Sequence, residues 1–189
     1  MIKICILGDI GSGKSYVAQN FGYPVFNADQ EVAKLYQLDK NTFNRLNKSL
    51  PKYIYSFPIK KIEISNAILA NKNNLNKIVK IVHVEIRKKM KAFLKKYKKR
   101  KFVILDIPLL LENKINKQKD ILVFVQSKQS DILKRLKKRK NYNQKLLKKF
   151  KAIQYPIVYK KKKSNFIIKN NFTKNSVNNG IKTILKEIS

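Results

Sequence analysis

The chain of 189 residues is most informative first for what it has little of. Its one cysteine, Cys5, cannot form an internal disulfide, and a place inside an apolar run favours a packed thiol over a reactive one. Its one histidine, His83, has no companions for a histidine-based metal site. No run approaches the roughly 18 consecutive apolar residues of a membrane span. The opening "MIKICILGDIG" meets aspartate and glycine too early for a secretory leader, so a cytoplasmic protein with no membrane partner is expected. Internal repeats are absent, and only 11 acidic residues stand against 44 basic ones.

The resulting net charge of +33 invites a nucleic-acid reading. Against it, 39 of the basic residues are lysine and five are arginine, whereas recognition of phosphates and base edges favours the arginine fork. The lysines are spread over nearly the whole chain, and runs such as "KKYKKRK" and "KKKK" read as solvated surface. Lysine, asparagine and isoleucine are abundant while alanine, glycine and proline are scarce, the pattern of codon bias in an AT-rich genome. The charge welcomes anionic substrates but names none, and no specific nucleic-acid partner is expected.

Strand-like and helix-like segments alternate, which argues for one α/β domain with a mainly parallel sheet. Five strands are expected, at 2–8, 23–26, 101–106, 120–126 and 164–170, with a helix at 15–22 closed near Gly22. Between the second and third strands, residues 39–100 show no strand. Leu75, Ile78, Val79, Val82, Ile86, Met90, Phe93, Leu94 and Tyr97 there recur at three- and four-residue steps, the mark of a long amphipathic helix that also carries His83. A lysine-rich excursion at 141–163 reads as a mobile cover.

The stretch "GDIGSGKS" at 8–15 carries Gly8, Gly13, Lys14 and Ser15 in the pattern G-x-x-x-x-G-K-[ST], after a strand and before a helix. In that setting backbone N–H groups wrap a phosphate, Lys14 reaches its β- and γ-oxygens and the Ser15 hydroxyl ligates Mg²⁺. A bare glycine turn is the bland alternative. Asp29, just after the second strand, falls at the carboxyl edge of a parallel sheet and suits either a proton acceptor for an attacking hydroxyl or a helix N-cap. Asp106 ends the strand "FVILD" and reads as a magnesium-ordering carboxylate or a turn residue. Arg135 and Arg139 stand four apart near the end of a helix, as a phosphate clamp or a surface pair.

Taken in order, "GDIGSGKS", "VFNAD", "IVHVEI", "VILDIPLLLEN", "ILKRLKKR", "AIQ" and "NFIIKNN" resemble the dephospho-coenzyme A kinase family over nearly the whole chain. The resemblance implies a P-loop NTPase-type, mainly parallel five-stranded sheet flanked by helices, with 39–100 as an acceptor-binding insertion and 141–163 as a lid. It implies transfer of the ATP γ-phosphate to the ribose 3′-hydroxyl of dephospho-CoA with Mg²⁺, by a single domain over 1–189 expected to be a monomer. It gives Asp29 the acceptor hydroxyl, Gly11, Ser12, Gly13, Lys14, Ser15 and Tyr16 the ATP phosphates, and Arg139 a phosphate contact. Gln154 falls in the lid and Asn170 near the adenine. The chain departs from the family at Asn27, where an aspartate is usual, at Tyr16 in place of threonine, at Val84 in place of proline after His83, and at Ile132 before the arginines.

Overall fold

The computed structural model describes residues 1–140 and 142–188, so the first residue of the expected lid, Asn141, and the terminal Ser189 lie outside the described residues. Along the chain run β1 (Ile2–Gly8), α1 (Lys14–Asn20), β2 (Val25–Asn27), α2 (Ala28–Leu38), α3 (Lys40–Ser49), α4 (Lys61–Ala70) and α5 (Lys72–Lys96). There follow β3 (Phe102–Asp106), β4 (Ile121–Gln126), α6 (Gln129–Lys137), α7 (Gln144–Ala152), α8 (Ile157–Lys163), β5 (Phe166–Lys169) and α9 (Lys174–Ile188). They form two compact units, one of residues 1–27, 97–142 and 154–189, the other of 28–96 and 143–153.

The first unit is built on one sheet of order β2-β3-β1-β4-β5 in which every pairing is parallel. Ile4 to Leu7 and all of β3 are buried, as strands covered on both faces must be. One face carries Ile4, Ile6, Phe102, Ile104, Val123, Val125 and Ile168, and packs against Val17, Ala18 and Phe21 of the α1 segment and Val177, Ile181 and Ile184 of α9. Helix α8 lies against β1 and β4. Cys5, between Ile4 and Ile6, is buried on the opposite face of β1, and burial pushes its thiol up to about 12, which keeps it protonated. Helix α1 ends at Asn20 with Phe21 as its C-cap, and Gly22 follows at φ 75, a left-handed conformation that glycine takes without strain. The five expected strands are all present; β2 and β5 are shorter and shifted, β2 starting after Gly22 and Pro24, and β5 after Asn165, whose carboxamide oxygen accepts from the Leu122 N–H of β4 at 2.8 Å.

The second unit is helical. Leu75, Ile78, Val82 and Ile86 form the buried stripe of α5, whose 25 residues confirm the expected long helix, with His83 half-buried beside it. Scarce acids serve two cations each: Glu31 meets Lys34 at 2.7 Å and Lys89 at 3.6 Å, and Glu85 meets Arg45 at 3.0 Å and Lys88 at 3.1 Å. Glu63 is buried and accepts hydrogen bonds from the Tyr55 and Ser56 backbone N–H groups and the Ser56 hydroxyl. Burial pushes its carboxyl up, but these bonds and one from Lys60 outweigh it and hold it below the usual range.

The stretch expected as one mobile cover is divided. Helix α7 belongs to the helical unit, where the Lys149 ammonium donates to the Ile68 and Leu69 carbonyls at 2.8 and 3.0 Å. Helix α8 belongs to the sheet unit, and its "KKKK" run is not uniformly solvated. Lys160 is 2 % exposed and donates to Glu112 Oε1 and Gln154 Oε1, both at 2.9 Å. The same Glu112 oxygen accepts from the Tyr155 N–H at 2.8 Å, so one carboxylate after β3 pins the start of α8. Removing either ion would strand the other in the interior, at about 3–5 kcal/mol. Lys160→Ala is therefore expected to lower the urea midpoint sharply while Lys161→Ala leaves it in place; equal midpoints would show that the pair holds nothing.

Candidate active site

Because all five strands run the same way, their carboxyl ends share one edge, and each end delivers polar residues to it. From β1 come Gly8 and the loop to Ser15, from β2 Asn27, from β3 Asp106, from β4 Ser127 and from β5 Asn170. Such an edge is where open parallel sheets bind ligands. The register sets the neighbours, with Asp106 beside Ile6 and Asn27, and Gln126 beside Lys169.

The loop is closed by the absence of side chains at three positions. A Cβ on Gly8 would lie 2.7 Å from Ser12 Oγ and 2.8 Å from the Val125 carbonyl; on Gly11 it would press on Leu136 and Ile132, and on Gly13 on the Asn170 amide. All three have positive φ, of 148°, 88° and 89°. The Ser12 N–H donates back to the Asp9 carbonyl at 3.2 Å. The buried Asp9 carboxylate accepts from the Ile10 N–H at 2.7 Å and the Gln129 amide at 3.1 Å. Gly13 precedes α1, whose first turn includes Ser15 and Tyr16, so the helix N-terminus faces what the loop encloses. Ser12 Oγ is buried with no hydrogen-bond partner among the described residues, an orphan suited to a polar ligand. The Lys14 ammonium rests on the Gly8 and Asp9 carbonyls at 3.2 and 2.8 Å.

Beside the loop, Ser15 Oγ donates to Asp106 Oδ2 at 2.5 Å, and the Asn27 amide donates to the same oxygen at 2.6 Å. Burial pushes the Asp106 carboxyl above its usual range, while the Ser15 hydrogen bond and the Lys14 charge pull it partly back. A hydroxyl and a carboxylate, both hard oxygen donors, standing together beside a phosphate-shaped loop fit Mg²⁺, which takes one or two protein ligands and completes its shell with water and phosphate. Asn27, a departure from the family pattern, thus stands as a neutral donor where a second acid would repel Asp106.

The other sequence-derived residues are placed as follows. Asp29 is exposed in the first turn of α2, two positions beyond the N-cap position at Asn27, and belongs to the helical unit. Arg139 is exposed and does not share a helix with Arg135, because α6 ends at Lys137 in a crowd of like charges. Arg135 sets its guanidinium 4.3 Å from the Phe172 ring centre. Asn170 is buried, and its side chain both donates to the Ser12 carbonyl at 2.9 Å and accepts from the Phe172 N–H at 2.8 Å. Sequence reading missed Asp9, Ser127 and Gln129. Ser127 was findable, as the first hydroxyl past a buried strand, by the rule that picks out Asp106.

Comparison with known proteins bears on the family and the fold. The sequence model of the dephospho-CoA kinase family matches residues 2–176. A dephospho-CoA kinase of Wolbachia pipientis wMel is 34 % identical over 98 % of this chain and 97 % of its own length. The fold is that of a Thermus thermophilus crystal structure, with TM-score 0.80, 22 % identity and coverage of 100 % and 98 % of the two chains. A dephospho-CoA kinase structure from Campylobacter jejuni shares it with TM-score 0.65, 22 % identity and coverage of 99 % and 96 %.

The raised Asp106 carboxyl has a thermodynamic sign. Its folded value lies above the unfolded one of about 3.9, so its contribution to stability is greatest below that value and is lost as pH rises through the folded one. Asp106→Asn removes the penalty. Without divalent cation the variant is expected to melt above the parent at about pH 7, with the gap closing toward about pH 3. A parent that melts higher at neutral pH would contradict the assignment.

Proposed function

This chain belongs to the dephospho-CoA kinase family, and from that premise we propose that it transfers the ATP γ-phosphate to the ribose 3′-hydroxyl of dephospho-CoA. The observation that carries the reading is the closed loop at 8–15 with Ser15 and Asp106 hydrogen-bonded beside it. A phosphate chain and one hydrated cation suit that geometry, and ATP is the family's phosphoryl donor.

In this reading Gly8, Gly11, Ser12 and Gly13 present backbone N–H groups to the phosphates, with Ser15 and Tyr16 adding those of the first helical turn. Lys14 turns from the loop carbonyls onto the β- and γ-oxygens, where charge develops during transfer. Ser15 and Asp106 would hold Mg²⁺, which when bound supplies positive charge on those oxygens. Asp29 stands two residues beyond Asn27 in the chain, in an acidic helix start, and takes or orients the proton of the acceptor hydroxyl. Arg139 supplies a further cation toward the phosphates. Asn170 belongs to the nucleotide site, and the helical unit is the acceptor-binding part, with the 141–163 stretch excluding water while the transfer proceeds.

A monomer acting in the cytoplasm without a nucleic-acid partner completes the proposal; among the described residues no helix is long and apolar enough to cross a membrane. The experiment offers ATP and Mg²⁺ with dephospho-CoA, adenosine, AMP or polynucleotide, and follows product mass and ADP release. One added phosphate on dephospho-CoA alone is expected. ADP release driven by polynucleotide, with no phosphorylated small molecule, would instead make the charge of the chain the functional feature. Asp29→Ala is expected to lower kcat by a factor on the order of 10²–10⁴ with ATP affinity intact; near-parental turnover would remove Asp29 from the chemistry.

A further inference from the structure

We propose that Asn170 and Ser127 are positioning residues that lock the Ser12–Gly13 peptide of the loop against flipping. The inference rests on the reading of this loop as the ATP-phosphate site and adds a requirement for its working. A trans peptide is planar, with its carbonyl and the following N–H pointing in opposite directions. Whatever fixes the Ser12 carbonyl therefore fixes the Gly13 N–H.

That carbonyl accepts two side-chain hydrogen bonds, from Asn170 Nδ2 at 2.9 Å and from Ser127 Oγ at 3.0 Å. Both of its lone pairs are taken. The need for a lock comes from Gly13 itself: at φ 89 a glycine sits as readily on either side of a peptide flip. After a flip, a carbonyl oxygen would replace an N–H in the phosphate cradle and repel the anion.

The two donors are built as a unit. Each is the first residue past its strand, Ser127 after β4 and Asn170 after β5, and the strand ends are in register at Gln126 and Lys169. The Asn170 N–H donates to the Gln126 carbonyl at 2.7 Å, so the two donors are tied through the backbone. The far end of the Asn170 carboxamide is held as well, accepting from the N–H of Phe172, a residue at φ 65. With one bond made at each end of the carboxamide, its plane is fixed by the loop and by Phe172, and its proposed role is to serve the loop.

The test measures binding of inorganic tripolyphosphate, ATP and GTP by calorimetry, with Mg²⁺ throughout and well below each melting temperature. The proteins are the parent chain, Asn170→Ala, Ser127→Ala, Ser127→Thr and the double alanine variant. Each single alanine variant is expected to weaken tripolyphosphate and ATP by the same factor, about threefold to tenfold, with the ATP-to-GTP ratio unchanged. The double variant is expected to lose more than either, and Ser127→Thr, which keeps a hydroxyl, to bind like the parent. Parental tripolyphosphate affinity in Asn170→Ala with an altered ATP-to-GTP ratio would make Asn170 a base-reading residue and overturn the lock. Lower melting temperatures with unchanged tripolyphosphate affinity in both alanine variants would overturn it too, leaving a structural role. A parent chain that binds ATP but not tripolyphosphate would overturn the lock alone; one that binds neither would overturn the nucleotide reading with it.

Discussion

A loop that grips an anion with its backbone has to turn its N–H groups inward and its carbonyls outward, and every residue with a side chain resists part of that turn. Here the resistance is removed at Gly8, Gly11 and Gly13, each so closely approached that a Cβ would strike a neighbour. The neighbours are not incidental. They come from the loop itself, from Val125 at the end of β4, from α6 and from Asn170 past β5, so the loop is shaped by the elements around it. Parallel strand order brings those elements to one edge.

The same economy governs the acids. With 11 carboxylates against 44 cations, few acids are spare. Asp9 is tied into the loop, Glu63 holds the turn before α4, Glu112 seats Lys160, and Asp120 pairs with Lys3 at 2.6 Å. Asp106 differs from the equally buried Glu63 in one respect. Neither forms a direct ion pair among the described residues, but burial drives the Asp106 carboxyl upward, its hydrogen bonds coming from a hydroxyl and a neutral amide, whereas the bonds to Glu63 hold it low. In the proposed reading, that raised condition of Asp106 is what a Mg²⁺ ion held with Ser15 would relieve. The helical unit shows the contrast, since Glu31 and Glu85 on its surface are each satisfied by two flexible cations.

Sequence reading reached what is local. The glycine spacing between a strand and a helix, the apolar runs of β1, β3 and β4, and the stripe of α5 depend on residues a few positions apart, and all appear in the structure. The missed features depend on pairs far apart in the chain. Nothing near Asn170 signals that its amide reaches Ser12, 158 residues earlier. Lys160 looks like its three neighbours until Glu112 is placed under it. Arg139 was read as helical from a spacing that α6 does not live to use, because basic residues crowd its last turn. Helix α3 carries only Phe43 and Leu46 as large apolar residues, and α4 is apolar around most of its length, so neither shows the single stripe that marks α5.

Strand order also fixes when this site can exist. Strand β1 is made first and lies at the centre of the sheet, yet its partners β3 and β4 begin only at Phe102 and Ile121, and the residue that closes on the loop comes at Asn170. In order of synthesis the loop at 8–15 therefore precedes the strands that flank β1. Long-range parallel pairing of this kind is slow to form, and a nascent chain truncated before β5 has no finished cradle. Of the segments that meet at this edge, the loop at 8–15 comes earliest in the chain and Asn170, whose amide closes on it, comes latest.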